Sequence, residues 1–117
     1  MRLVIIESPY AGDVERNTAY ARAAMKDCLE RGEAPLASHL LYTQVLDDDV
    51  PAERAMGIEA GLAWGSLAWV SVIYVDLGIT SGMKYGIERA KREGRTVEYR
   101  CLGGEWEAGG SHQLAQA

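Results

Sequence analysis

The sequence predicts an α/β domain: a parallel sheet of about four strands, ordered 2-1-3-4, with helices on both faces. Three observations carry that prediction. Short β-branched or apolar runs alternate with longer segments whose apolar residues recur at helical spacing. The helical segments open on caps or proline, and two of them close on glycine. The resulting order, β-α-β-α-β-α-β, calls for right-handed crossovers in a sheet covered on both sides.

Leu3 to Ile6 is a short buried strand, and Ser8-Pro9-Tyr10-Ala11-Gly12-Asp13 is a loop of turn residues. Asp13 caps the next helix and Glu15 places a carboxylate in its first turn. Val14, Thr18, Ala21, Met25 and Cys28 share one face of it, and Gly32 ends it. Ala34 to Leu41 reads as a second, weaker strand, followed by a loop to Asp49. Asp49 and Pro51 mark the start of a helix that runs to about Ser66.

That helix carries Gly57, Gly61 and Gly65 on one face. Each costs about 1 kcal/mol relative to alanine, so the stripe calls for close approach of another backbone. Packing on the sheet and a subunit contact are the two alternatives. Trp69 to Val75 is apolar almost throughout, as a central strand is. Thr80 or Ser81 caps a third helix that buries Met83, Ile87 and Ala90 and stops at Gly94. Thr96 to Leu102 is the fourth strand. Residues 1–103 form one domain, and residues 104–117, rich in glycine and polar residues, read as a flexible tail.

The net charge of −5, the run Asp47-Asp48-Asp49 and the lack of a basic stripe argue against duplex nucleic acid as a partner. No apolar run is long enough to span a bilayer, and the first residues read as a strand rather than a secretory leader. A cytoplasmic protein is expected. Cys28 and Cys101 stand apart, in a helix and a strand, as reduced thiols do; neither a metal nor a cofactor is expected.

In strand order 2-1-3-4 the connections after the first and third strands diverge and leave a crevice. Ser8–Asp13 and Asp76–Met83 border it. Thr80, Ser81, Gly82 and Met83 open a helix whose free N–H groups can hold an anion, although an ordinary cap explains them too. Ser8, Pro9, Tyr10 and Gly12 face them, with Tyr10 able to stack on a base. The loop is neither a Walker loop nor a dinucleotide fingerprint. His39 is expected at the same edge, at the end of the second strand. Asp76 is placed to hold a ribose hydroxyl or act as a general base, and could equally cap its loop through its own turn bonds; Glu7 is the next carboxylate. No nucleophilic triad is legible.

The pieces Ser8-Pro-Tyr-Ala-Gly-Asp13, Pro35-Leu-Ala-Ser-His-Leu-Leu-Tyr42, Leu46-Asp-Asp, Gly57-Ile-Glu-Ala-Gly-Leu-Ala-Trp64 and Asp76-Leu-Gly-Ile-Thr-Ser-Gly-Met83 resemble the nucleoside 2-deoxyribosyltransferase-like superfamily. The resemblance is to its small phage and prophage members and covers residues 3 to 101. It implies a Rossmann-like three-layer domain that binds a nucleoside or nucleotide. It also implies a glutamate that attacks the anomeric carbon, in a pattern Ser-x-Gly-x-x-x-Glu. On this chain Thr80 takes the serine, Gly82 the glycine and Gly86 the glutamate position.

With that nucleophile missing, the expectation is a nucleotide-binding protein that sequesters a nucleotide in a phage context, for instance a signalling nucleotide of host defence. The alternatives are an N-glycosidase or deoxyribosyltransferase working through Asp76 or Glu7, and a non-catalytic interaction subunit. Gly57, Gly61, Gly65 and Trp64 suggest a homodimer or higher homo-oligomer.

Overall fold

The protein is described here from a computed structural model, over residues 1–106. In chain order the elements are β1 (Arg2–Glu7), α1 (Val14–Glu30), β2 (Glu33–Leu36), α2 (Ser38–Leu41), a 3-10 turn (Tyr42–Gln44), α3 (Pro51–Gly65), β3 (Val70–Tyr74), α4 (Ser81–Arg92) and β4 (Thr96–Arg100). The sheet order is β2-β1-β3-β4 and every pairing is parallel. The predicted α/β architecture and strand order are those of the structure. Among the described residues no helix is long and apolar enough to cross a membrane.

Side chains alternate across a strand, so each central strand feeds two layers. Val4 and Ile6 of β1 and Val70, Val72 and Tyr74 of β3 pack with Tyr20, Ala24 and Cys28 of α1. Ile73, of the opposite parity, packs with Met83 and Ile87 of α4. Each fully buried aliphatic side chain contributes about 1.5–3 kcal/mol, and this alternation dictates which helix receives it.

The α1 side also holds a buried polar network. Arg100 donates from Nη1 to Glu33 Oε1 at 2.8 Å and from Nη2 to Glu33 Oε2 at 2.7 Å. Arg2 donates to Glu33 Oε2 at 2.6 Å. The Tyr74 hydroxyl accepts from Arg100 at 3.3 Å and donates to Asp27 Oδ2 at 2.6 Å. The Arg100 hydrogen bonds, above all, pull the Glu33 carboxyl down to about 2 against the opposing effect of burial.

Several local expectations are corrected. The second strand stops at Leu36, and residues 38–41 form α2 instead. Leu40 reaches the core from this helix, and Pro35 suits a short edge strand. His39 therefore sits on α2 rather than at a strand end. Val50, not Asp49, is the N-cap residue of α3, and it makes no side-chain cap bond; the Asp49 N–H instead bonds Asp47 Oδ1 at 2.9 Å.

The glycine stripe meets neighbours within the chain. A Cβ on Gly61 would stand 2.6 Å from Ser38 Cβ, and one on Gly57 would touch Leu46 and Tyr42 at 3.4 and 3.5 Å. The close approach is thus made by α2 and the turn after it, with the sheet meeting only Gly65, through Ile5 at 3.7 Å. After β4 the Trp106 ring packs edge-on against Tyr20 at 5.1 Å. The remainder of the expected tail, 107–117, lies outside the described residues.

Glu33→Ala would strip the buried Arg100 guanidinium of its two-pronged buried partner and leave it only the half-exposed Glu98 carboxylate, and should lower stability by up to about 3–5 kcal/mol in denaturant titrations at neutral pH. Because the Glu33 pKa is depressed, its contribution is present above 4.5 and lost as pH falls toward about 2. The acid-dependent loss in that window should therefore be smaller in Glu33→Ala than in the parent.

Candidate functional site

A cavity of about 230 Å³ opens at the carboxyl edge of the sheet and runs down its α3/α4 face. Ser8 and Tyr10 of the first βα loop and Thr80–Met83 at the start of α4 border its mouth. Ser38, His39 and Tyr42 form one wall, and Ile5, Gly65 and Arg95 lie at its inner end. The two loops that diverge at the switch point thus do meet across one hollow.

Thr80 caps α4. Its Oγ1 accepts from the Met83 N–H at 3.2 Å. The Ser81 and Gly82 N–H groups lie in the first turn, where a helix offers no acceptor. A Cβ on Gly82 would meet only Arg54 Nη2 and Thr80 Oγ1, both at 3.9 Å. That is ordinary contact, so packing within the chain does not demand glycine there. The guanidinium of Arg54, which lies over this helix end, has Asp48 as its ion partner at 3.9 Å.

Glu7 ends β1 with the same parity as Ile5, which points it to the α3/α4 face. Its carboxyl lies against Gly86. A Cβ built on Gly86 would stand 2.5 Å from Glu7 Cδ, so the carboxyl fills the space that a side chain at 86 would occupy. Burial pushes the Glu7 pKa up to about 8, and the nearby Arg95 charge offsets that only in part.

His39 Nε2 and Ser8 Oγ are 2.7 Å apart. Burial drops the imidazole to about 4, which leaves it neutral at physiological pH. The Tyr10 ring stands edge-on to it at 6.5 Å. A neutral histidine on a serine hydroxyl is the first half of a nucleophilic set, but among the described residues no carboxylate orients the other ring nitrogen. The pair is a fixed polar wall of the cavity.

Three expected site residues lie elsewhere. Asp76 is two residues beyond Tyr74 and shares its parity, so it faces α1 and not the cavity. Its carboxylate accepts from the Tyr20 hydroxyl at 2.7 Å and from the Leu102 and Gly103 N–H groups at 2.8 and 3.1 Å. Burial would raise its pKa, but these bonds outweigh burial and hold it below the usual range. Asp76 is the clasp of the segment after β4. Pro9 faces a separate hollow with Asn17 and Leu77, and Gly12 makes a turn at φ 100°.

Sequence reading missed Arg54, Tyr42 and Arg95. Arg54 had a signal, since it lies in the first turn of a helix entering the crevice. Arg95 had none, because it precedes a strand at the opposite end of the sheet. Among the described residues no cluster of three or more His, Cys, Asp or Glu side chains could hold a metal ion.

Over residues 2–100 the chain matches the family described as "Domain of unknown function (DUF7768)", and it belongs to that family. No curated protein matches it.

Two variants test the Glu7–Gly86 contact. Gly86→Ala should destabilise by about 1–3 kcal/mol through overpacking, and Glu7→Ala should relieve most of that penalty in the double variant. Because the Glu7 pKa is raised, the parent loses stability as pH climbs from 4.5 through about 8. Glu7→Gln should remove this slope, so that its melting temperature exceeds the parent's by several degrees at pH 9, with the gap closing near pH 4.

Proposed function

We propose that this member of the DUF7768 family binds a nucleoside or nucleotide in the switch-point cavity. The observation that carries this reading is the convergence of the Ser8–Tyr10 loop and the capped start of α4 on one hollow. The Ser81 and Gly82 N–H groups and the Arg54 guanidinium suit an anionic group at the mouth. Tyr10 and Tyr42 offer aromatic faces, and the Ser8–His39 pair offers fixed polar atoms. The resemblance to the deoxyribosyltransferase-like proteins points to the same ligand class. Holding a nucleotide out of circulation, as a phage-type protein would against host signalling, is the role proposed with it.

A second reading, N-glycosidic cleavage, is favoured by one specific observation. The Glu7 carboxyl fills the side-chain space of residue 86, the position to which the resemblance assigns an attacking glutamate. An ionised carboxylate there could displace the base from the anomeric carbon, forming a glycosyl ester that water then hydrolyses. With its pKa near 8, however, Glu7 is roughly nine-tenths protonated at pH 7. A protonated carboxyl donates a hydrogen bond and does not attack, so binding is the primary reading at neutral pH.

Calorimetry with deoxynucleosides and their monophosphates tests the binding reading. Saturable binding is expected in the parent. Gly82→Leu should abolish it without lowering the melting temperature, and Thr80→Ala should weaken it by about 1 kcal/mol. Chromatography after long incubation should show no free base at pH 7. Base release that rises toward pH 9 and vanishes in Glu7→Gln would install the second reading instead. The exposed Trp64, Leu67 and Trp69 support the further proposal of self-association, to be read as a dimer or larger species by light scattering at high micromolar concentration.

A further inference from the structure

Arg95 closes the inner end of the cavity, and nothing in its sequence position announces a site. It follows Gly94, whose φ of 72° turns the chain out of α4, and it precedes β4. Its side chain is only 5% exposed. Two of its three nitrogens are held: Nε donates to Ser71 Oγ at 3.0 Å and Nη1 to Glu93 Oε1 at 2.6 Å. Ser71 is buried in β3, and its hydroxyl oxygen has this guanidinium as its donor.

The third nitrogen, Nη2, has no hydrogen-bond partner among the described residues. Among those residues no fully buried side-chain nitrogen or oxygen lacks a partner. Nη2 therefore keeps accessible surface, and in a side chain so buried that surface faces the cavity that Arg95 lines. A Cβ on Gly65 would stand 3.3 Å from Nη2, so a larger residue at 65 would crowd it. A guanidinium pinned at two corners and open at the third presents one preorganised amino group, with its two N–H donors, to the cavity.

We infer that Arg95 Nη2 reads a keto oxygen at the inner end of the ligand and so selects nucleotides whose base carries one. The inference rests on the proposed nucleotide site and adds the ligand's orientation and the class of its base. A phosphate is a poor match for this end. It presents several charged oxygens, whereas here only one amino group is free, on a guanidinium whose charge is already met by Glu93, and Ile5 lies alongside. The mouth, with Arg54 and the start of α4, has the donors an anion needs. The anion belongs at the mouth and the base inside.

A purely structural arginine, tying the start of β4 to β3, would change stability when replaced but would not distinguish ligands that differ by one oxygen. The test is calorimetry on the intact chain with two matched pairs. One pair is deoxyinosine monophosphate against purine deoxyriboside monophosphate, which lacks the keto oxygen. The other is deoxyuridine monophosphate against the corresponding pyrimidin-2-one nucleotide, which keeps O2 beside the sugar but lacks the 4-keto oxygen at the far edge of the base. In at least one pair the keto ligand should bind roughly tenfold or more tightly, and Arg95→Met should bring that ratio close to one.

Equal binding within both pairs by the parent would overturn the inference while leaving the nucleotide site in place. So would discrimination that survives in Arg95→Met. If none of the four ligands binds the parent, the nucleotide site itself fails, and the Arg95 inference with it. The parent comparison needs no variant, so an Arg95→Met protein that fails to fold does not remove the test.

Discussion

The two-residue alternation of side chains along β1 and β3 is the constraint from which the rest of the molecule follows. Even-numbered positions, Val4, Ile6, Val70, Val72 and Tyr74, go to the α1 side, where they are sealed. Odd-numbered positions, Ile5, Glu7, Ser71 and Ile73, go to the side that α3 and α4 cover. The first set is a closed core with a fully bonded polar network behind it. The second includes a carboxyl and a hydroxyl that a closed core would not tolerate unpartnered. A slip of one residue in β1 would exchange its two sets and turn Glu7 toward α1. Register thus decides which side of the sheet can hold a ligand.

On the open side, position 7 and position 86 act as one unit. Glu7 can enter the cavity only because residue 86 has no side chain, and Gly86 is constrained because Glu7 is there. The electrostatics follow from the same enclosure. Burial favours the neutral form of both Glu7 and His39, raising the first and lowering the second. Near neutral pH the middle of the cavity therefore carries little charge, with arginines at its two ends. Such a site suits a ligand that is anionic at one end and neutral but polar along its body. The proposed nucleotide, lying lengthwise, meets that description, and the roles proposed for Arg95 and Arg54 would give it a direction.

Much of this was legible in the sequence. Strand order 2-1-3-4, the Asp13 cap of α1 and a hydroxyl cap of α4 at Thr80 or Ser81 follow from alternation and local capping chemistry, and the structure shows the first two and assigns the third to Thr80. The position of Asp76 was legible as well, had strand parity been applied to it: Tyr74 is an obvious core residue, and Asp76 shares its side. Two features could not be read. Residues 38–41 have no strong helical signal, and they become α2 only where the glycines of α3 let them dock, a tertiary effect that overrides local preference. Arg95 follows the far end of α4, at the edge of the sheet opposite the cavity mouth. Its side chain reaches the cavity only because Ser71 and Glu93 hold it across the sheet.

The glycine stripe is where stability and site are traded. Three glycines inside α3 weaken it by about 1 kcal/mol each relative to alanine. Each admits a different neighbour: Leu46 and Tyr42 at Gly57, Ser38 at Gly61, Arg95 at Gly65. The first two draw α2 and its following turn against α3, and this brings His39 within bonding distance of Ser8. The third leaves Arg95 Nη2 uncovered. A version of α3 with alanines would be a better helix in isolation, yet it would push α2 outward and crowd the inner end of the cavity. The stripe thus sets the shape of the cavity from its mouth to its floor, and a helix that looks under-packed by composition is the one that fixes what the hollow can admit.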